Sequence, residues 1–189
     1  MKKWYFTSGL LAFLVLTTAA LADESGKSAT PSVQPPPFLE LTSPVFGNNG
    51  VVPVRYTCRG SDINPPLAIK NVPAGTKSLV LSVHDPAGLA GLWVHWVVFN
   101  IKPDTGEIGE NSVPGTQALN DFGNFYYGGP CPTDEREHRY VFTLYALNVY
   151  LGDVSEGATL ETLQKVMTGK IIAKAELVGT YQNPKWLKE

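Results

Sequence analysis

The chain has 189 residues, and its formal net charge of −2 at pH 7 comes from 15 Lys and Arg and 17 Asp and Glu residues. Because the charge is close to zero and no cluster of Lys and Arg occurs, the sequence lacks the electrostatic footprint of a nucleic-acid-binding protein. Attraction to an anionic membrane surface is weakly supported for the same reason. Residues 38–185 are enough for one domain with a hydrophobic core.

Residues 1–22 have the pattern of a secretory signal peptide. Lys2 and Lys3 come first, an apolar stretch follows at 9–16, and residues 20–22 (Ala-Leu-Ala) supply the small side chains of a cleavage site. The rival interpretation, a membrane anchor, needs about 20 apolar residues, and this run is shorter. We therefore expect cleavage after Ala22 and a periplasmic or secreted protein.

Residues 23–37 are rich in Ser, Pro and charged side chains, and they end in three consecutive prolines. Such a segment cannot bury enough apolar surface to offset the entropy of ordering it. We predict a flexible tether with some polyproline character, placed between the signal peptide and a domain that spans 38–185.

Short apolar runs separated by Gly, Pro, Asn and Asp predict a mainly β domain after residue 38. The predicted strands are 52–56, 79–83, 94–101, 140–147 and 175–181. Several are apolar on both faces, which is typical of central strands in a two-layer sandwich. One late segment has helical spacing instead. Thr159 can cap it and Gly169 can end it, which predicts a helix of about ten residues.

Three ionisable residues, Asp85, His95 and His138, lie at the ends of predicted strands. Loops at the rim of a rigid sheet commonly carry binding residues, so these three are candidates for a site. Each alone is more often a packed or solvated side chain than a ligand. Only their convergence in one place would make them a site.

The period of a regular strand indicates which side chains share a face. His138 and Tyr140 fall on one face of their strand, so they can line one pocket. His95 and Val97 fall on one face of theirs. His84 should point away from its neighbour in sequence, and we expect it at the surface rather than in the pocket.

The segment 128–132 (Gly-Gly-Pro-Cys-Pro) predicts a stiff loop, because proline fixes φ on both sides of Cys131. Gly128 and Gly129 permit unusual backbone angles. A stiff loop with open N–H groups suits an anion. Cys58 is the only other cysteine and no CxxC pair exists, which argues against zinc-ribbon and thioredoxin-like sites. In an oxidising compartment two such cysteines often pair, but the sequence leaves this disulfide open.

These motifs, in their order and spacing, resemble the phosphatidylethanolamine-binding protein family, in its bacterial Raf-kinase-inhibitor-like branch. The resemblance covers roughly residues 38–181. The residues that carry it are Asp85-Pro86, the run from Val94-His95-Trp96 to Ile101, the run from Tyr127 to Pro132, His138-Arg139-Tyr140, and the run from Tyr56-Thr57-Cys58 to Asn64-Pro65-Pro66-Leu67.

The resemblance implies a β-sandwich of antiparallel sheets with Greek-key-like topology, a late short helix and a small surface cavity. In relatives this cavity holds phosphate, phosphorylethanolamine or other small anions, and no cofactor is implied. A lipid headgroup as ligand, a homodimer and a protein partner (a protease or a host protein) stay open. The residues that the resemblance assigns to the cavity are Asp85, His95, Pro132, His138 and Tyr140, with backbone contact from Gly128.

One segment departs from the family pattern. The usual Asp-Pro-Asp-Ala-Pro box is replaced by Asp85-Pro86-Ala87-Gly88-Leu89, which lacks the second Asp and the closing Pro. The acidic rim and the stiffness of this loop are therefore in question. We expect the pocket still to bind anions, with an altered ligand preference.

The chemistry of the candidate residues suits an anion. Histidine N–H groups donate to phosphate, and they donate better when the ring is protonated. Tyr140 offers a hydroxyl, and Asp85 can orient a histidine or meet an ammonium group. We therefore expect the affinity for anions to fall as pH rises through the histidine range near ~6.5.

The same residues also allow three functions other than ligand binding. A hydrolase could use Asp85, His95 and His138, but the sequence has no G-x-S-x-G motif, and the prolines beside Cys131 weaken a thiol nucleophile. A metal site could add His84, but the spacing matches no zinc motif. An inhibitor of a protease or another extracytoplasmic protein is the strongest alternative, and it rests on the resemblance.

Overall fold

The structure is a computed structural model that describes residues 1–3, 38–88, 91–152, 154–155 and 157–183. The chain divides into one compact unit from Met1 to Pro35 and a second from Pro36 to Glu189. The predicted signal peptide, beyond its first three residues, and the predicted tether lie outside the described residues. Within the described part of the chain, no helix has the length and apolar character needed to cross a membrane.

In its described residues, the second unit is mainly β, with two sheets and one α-helix, as predicted. The elements are β1 (Glu40–Thr42), β2 (Gly50–Val51), β3 (Leu67–Lys70), β4 (Ser78–Gly88), β5 (Gly91–Ile101), β6 (Glu107–Ile108), β7 (Thr116–Gln117), β8 (His138–Leu147), α1 (Leu160–Met167) and β9 (Ile171–Tyr181). The small sheet has the order β1-β3-β6, and the large sheet has the order β2-β9-β8-β4-β5-β7. All pairs of these strands are antiparallel except β2 with β9, which is parallel.

The central strands of the large sheet, β8, β4 and β5, are buried on both faces over most of their length, as their apolar sequences predict. One face packs against the small sheet in a cluster that includes Leu67 and Ile69 from β3 and Leu81 and Phe142 from the large sheet. The other face packs against α1. That second cluster includes Val80, Val97, Phe99, Leu147, Leu160, Leu163 and Met167.

The predicted helix and its caps are confirmed. α1 runs over Leu160–Met167, and the side chain of Thr159 accepts a hydrogen bond from the backbone N–H of Thr162. Gly169 follows with a φ of +73°, a conformation that glycine adopts without steric cost. Capping, helical spacing and a terminal glycine thus agree with one another.

The predicted strand at 52–56 is wrong. Only Gly50–Val51 forms a strand, and Val54–Tyr56 forms a 3₁₀ turn in which the N–H of Tyr56 donates to the carbonyl of Pro53 (2.9 Å). Proline has no N–H for a strand ladder and fixes a φ that starts a turn, which ends the strand here. The Tyr56 hydroxyl then donates to Glu110 (2.7 Å), which holds the turn in place.

Candidate functional site

A cavity of about 110 Å³ opens where β4, β5 and β8 run into their connecting loops. Five of the six predicted binding residues line it, namely Asp85, His95, Pro132, His138 and Tyr140. The remaining lining residues are Gly88, Trp93, Phe122, Cys131 and Thr133. Gly128 is absent from the lining, and His84 is half-buried outside it.

A β-bulge in β5 determines where His95 points. Val83 of β4 pairs with Trp96, and the next residue, His84, pairs with Val94. His95 is therefore an extra residue between two pairs. A bulge of this kind interrupts the alternation of side chains and aims one of them in a new direction.

The bulge moves His95 to the cavity side of the sheet. Its ring meets the Tyr140 ring edge to face, with centroids 5.1 Å apart. Val97 and Phe99 instead pack in the cluster around α1. The prediction that His95 and Val97 share one face is therefore wrong, because the extra residue breaks the period of two that it assumed.

The backbone of Gly128 holds His95 from behind. The Gly128 carbonyl lies 2.7 Å from His95 Nδ1, and the Gly128 N–H donates to the His95 carbonyl (3.1 Å). A carbonyl only accepts, so Nδ1 carries the proton and Nε2 is the nitrogen left for a ligand. Burial lowers the pKa of His95, which keeps the free ring neutral.

An aromatic side chain that the sequence did not single out covers the same ring. Phe122 contacts His95 (centroids 5.3 Å apart) and Trp93 (5.5 Å), both edge to face. Asn120 shapes the loop that carries it, because its side-chain oxygen accepts from the N–H of Phe122 (3.0 Å) and its amide donates to the His95 carbonyl (3.1 Å). This loop has no strand pattern, so Phe122 could not be identified from the sequence as a cavity residue.

The opposite side of the cavity is ionic. His138 Nδ1 lies 2.5 Å from Asp85 Oδ2, and His138 Nε2 lies 3.0 Å from Asp134 Oδ1. Carboxylates only accept, so both ring nitrogens donate and the ring is an imidazolium. Burial lowers the pKa of His138, but the hydrogen bonds with Asp85 and Asp134 outweigh this and raise it.

The charges on this side alternate from the interior to the surface. Side-chain exposure rises from 5% at Asp85 and 7% at His138 to 37% at Asp134 and 66% at Arg136. Arg136 pairs with Asp134 at 2.7 Å and lowers the pKa of that carboxyl. Asp134 and Arg136 lie in an irregular loop with no pattern that would have identified them from the sequence.

The segment that departs from the family box keeps Asp85 fixed. Asp85 Oδ1 accepts a hydrogen bond from the N–H of Ala87 (2.8 Å), a backbone contact that does not depend on the side chain there. Gly88 pairs with Gly91, and a Cβ at Gly88 would lie 2.6 Å from Cβ of Trp93. Strand pairing and the close approach of Trp93 thus hold Gly88 in place.

The loop of Gly128–Pro132 is tied down on two sides. Cys58 and Cys131 form a disulfide with Cα atoms 5.5 Å apart. The N–H of Gly129 donates to Asp62 Oδ1 (2.7 Å), and that of Gly128 donates to His95. The expectation that these two glycine N–H groups are open to an anion is therefore wrong.

The hydroxyl of Tyr140 is a hydrogen-bond donor. Burial raises the pKa of Tyr140 well above its ordinary value, so its hydroxyl keeps its proton and can donate.

In the part of the chain that the structure describes, no group of three or more His, Cys, Asp or Glu side chains is placed to hold a metal ion.

Comparisons with known proteins identify the family to which the chain belongs. The family model described as phosphatidylethanolamine-binding protein matches residues 42–182. The UPF0098 protein of Chlamydia trachomatis is 44% identical over 150 residues, covering 76% of this chain and 99% of that protein. The UPF0098 protein of Methanothermobacter thermautotrophicus is 41% identical over 152 residues, with the same two coverages.

Solved structures show the same fold. A crystal structure described as a phosphatidylethanolamine-binding protein homologue from Chlamydia trachomatis matches with a TM-score of 0.73 and 43% identity, covering 77% of this chain and 98% of that one. Escherichia coli YbcL, described as a member of the mammalian PEBP family, matches with a TM-score of 0.71 and 25% identity at the same coverages. The chain is a member of the phosphatidylethanolamine-binding protein family, in the UPF0098 group.

Proposed function

We propose that this chain is an exported binding protein whose cavity takes a small phosphorylated ligand, either free phosphate or a phosphorylethanolamine-like group. The observation that carries the proposal is that His95 and Tyr140, whose ring centroids lie 5.1 Å apart, line one cavity whose other side already holds an imidazolium. A volume of about 110 Å³ is enough for several water molecules, which suits a small tetrahedral anion.

The charged side chains beside the cavity form ion pairs, and this pairing supports the binding of an anion. The carboxylate of Asp85 is matched by the imidazolium of His138, and Asp134 is matched by Arg136. Both N–H groups of His138 donate to carboxylates. The hydrogen bonds to a ligand would therefore come from His95 and Tyr140. Because His95 is neutral in the free protein, binding of an anion there requires uptake of one proton.

Calorimetric titration tests the proposal. We expect phosphate and phosphorylethanolamine to bind more tightly at about pH 5.5 than at about pH 8, on either side of the ordinary histidine pKa of ~6.5. Sulfate, whose charge does not change over this range, separates titration of the protein from titration of the ligand. The variant His95→Gln should lose the pH dependence, and His84→Gln, outside the cavity, should keep it. Equal affinity at both pH values would defeat the proton-uptake argument.

Export is supported by the pattern of residues 1–22 and by the Cys58–Cys131 disulfide, since such bonds persist in oxidising compartments. We expect the mature protein to begin at Asp23 and to be recovered from the periplasm or the medium. The intact mass of protein purified from those fractions measures this. A protein that retains Met1 and stays with the cytosolic fraction would contradict it.

A further inference from the structure

A second cavity, with a volume of about 270 Å³, lies beside the first, on the other side of Phe122. Phe122 and Cys131 line both cavities, so these two side chains form the partition between them. Phe122 is 43% exposed, which leaves the outer edge of its ring in contact with solvent. A single ligand that passes over this edge can therefore occupy both cavities.

The second cavity has the opposite charge to the one a phosphate needs. Asp62 is the charged residue of its lining, and its Oδ1 accepts a hydrogen bond from the N–H of Gly129 (2.7 Å). In the part of the chain that the structure describes, none of the ion pairs involves Asp62. A positively charged group of a ligand would supply the partner that this carboxylate does not find there.

Two aromatic side chains, Phe122 and Tyr126, line the same cavity as Asp62. Tyr126 is 63% exposed, yet its backbone is fixed. The amide of Asn120 donates to the Tyr126 carbonyl (2.7 Å), and the side-chain oxygen of Asn124 accepts from the Tyr126 N–H (3.3 Å). A ring on a fixed loop loses little conformational freedom when a ligand binds. Aromatic rings attract cations to their faces, and quaternary ammonium groups are recognised in this way.

The two cavities also interact electrostatically. The negative charge of Asp62 is one of the influences that raise the pKa of His95, although burial lowers that pKa overall. The same charge repels a phosphate bound at His95. A cation placed at Asp62 removes this repulsion, so the anionic and cationic parts of one ligand would support each other's binding.

We propose that the second cavity is a subsite for a quaternary ammonium group, carried by a ligand whose phosphate lies in the first cavity. This assignment rests on the proposed function, since it takes the cavity at His95 as the phosphate site. A primary ammonium has three N–H donors to satisfy, and one oxygen of Asp62 already accepts from Gly129. A quaternary ammonium has no N–H groups, so aromatic rings and one negative charge are sufficient for it. A phosphocholine group therefore fits the two cavities better than phosphorylethanolamine does.

Calorimetric titration with a series of phosphates tests the subsite. We expect phosphocholine to bind roughly tenfold more tightly than the isosteric alkyl phosphate in which carbon replaces the quaternary nitrogen. These two esters have the same shape and differ in the positive charge alone. Phosphorylethanolamine should bind more weakly than phosphocholine, and inorganic phosphate measures the first cavity by itself.

Variants of Asp62 and Tyr126 separate the contribution of the charge from that of the ring. Asp62→Asn keeps an oxygen that can accept from Gly129, and asparagine tolerates the φ of +54° at this position. Because Asp62 is exposed, this variant should weaken phosphocholine binding roughly threefold, and it should leave phosphate binding unchanged or stronger. Tyr126→Leu should weaken phosphocholine binding and Tyr126→Phe should not. Asp104→Asn, at an exposed turn outside both linings, is the matched control.

Phosphocholine that binds no more tightly than its isostere would overturn the subsite, while binding of inorganic phosphate would still support the first cavity. A protein that binds none of these phosphates would overturn the proposed function as well. Equal losses for phosphate and phosphocholine in Asp62→Asn would mean that the residue has only a structural role, which also overturns the subsite. Phosphatidylcholine vesicles distinguish the source of the group. Cosedimentation that is reduced in Asp62→Asn supports a lipid headgroup, and binding of free phosphocholine without cosedimentation supports a soluble ligand.

Discussion

The cavity has two walls of opposite character. We call Trp93, His95 and Phe122 the neutral wall, and Asp85 and His138 with the flanking Asp134 and Arg136 the ionic wall. The two histidines are buried to almost the same extent, at 4% and 6% exposure, yet the pKa of His95 is lowered and that of His138 is raised.

The partner of each ring explains the difference. Burial disfavours the charged form of both histidines. His95 has a backbone carbonyl at Nδ1 and aromatic rings around it, and its hydrogen bond with Gly128 and the charge of Asp85 offset only part of this cost. His138 has a carboxylate at each nitrogen, and the two carboxylates outweigh it. The neutral wall can therefore still take up a proton when a ligand arrives, whereas the ionic wall is already charged.

The largest expected effect is that of removing the disulfide behind the neutral wall. The Cys58–Cys131 bond closes a loop with a sequence separation of 73 and holds the segment whose Gly128 carbonyl positions His95. Replacing both cysteines by serine should cost about 4 kcal/mol of unfolding free energy, chiefly by freeing the unfolded chain.

Denaturant unfolding measures this loss, and the natural protein in reductant is the control that should match the double variant. The pKa of His138, followed by NMR, should barely change, because the ionic wall does not depend on the bond. A double variant as stable as the oxidised natural protein would show that the disulfide does not stabilise the fold.

The second effect concerns the interior of the ionic wall. Asp85→Asn removes the carboxylate from a pair whose side chains are only 5% and 7% exposed, which leaves His138 with one charged partner. We expect a loss of about 3 kcal/mol, since breaking a buried pair leaves a charge uncompensated, and a lower pKa for His138. Asp104→Asn, at an exposed turn, is the matched control. A loss no larger than that of the control would mean that the pair does not stabilise the fold.

The contrast between the walls also marks how far the sequence could predict the site. Four of the five predicted strands, the capped helix and five cavity residues followed from patterning and from the family resemblance, because period and motif order are local properties. The direction in which the His95 side chain points could not be predicted, since it depends on a bulge that appears only when β4 and β5 are paired. Asp134 and Phe122 did not follow either, because they reach the cavity from loops without periodicity.

The pH dependence of the folding stability should distinguish the contributions of the two histidines. The raised pKa of His138 stabilises the fold below its unfolded pKa near ~6.5, and this contribution is lost as pH rises through the folded pKa. The lowered pKa of His95 acts on the other side, so stability is lost as pH falls from ~6.5 towards its folded pKa. Denaturation midpoints across the range should show a flatter alkaline side for His138→Gln and a flatter acid side for His95→Gln. Identical profiles for the two variants would contradict this assignment.

The smallest expected effect lies at the exposed end of the ionic wall. Asp134→Asn keeps an oxygen that can accept from His138 Nε2, and the buried bond to Asp85 is untouched. Because Asp134 is 37% exposed, solvent screens its charge, and the loss of stability should be a small fraction of that caused by Asp85→Asn. The pKa of His138, followed by NMR, should fall in both variants, and less in Asp134→Asn. If the two losses of stability were equal, the charge of His138 would depend on the surface carboxylate as much as on the buried one, and the ionic wall would be open to any solute that competes with Asp134.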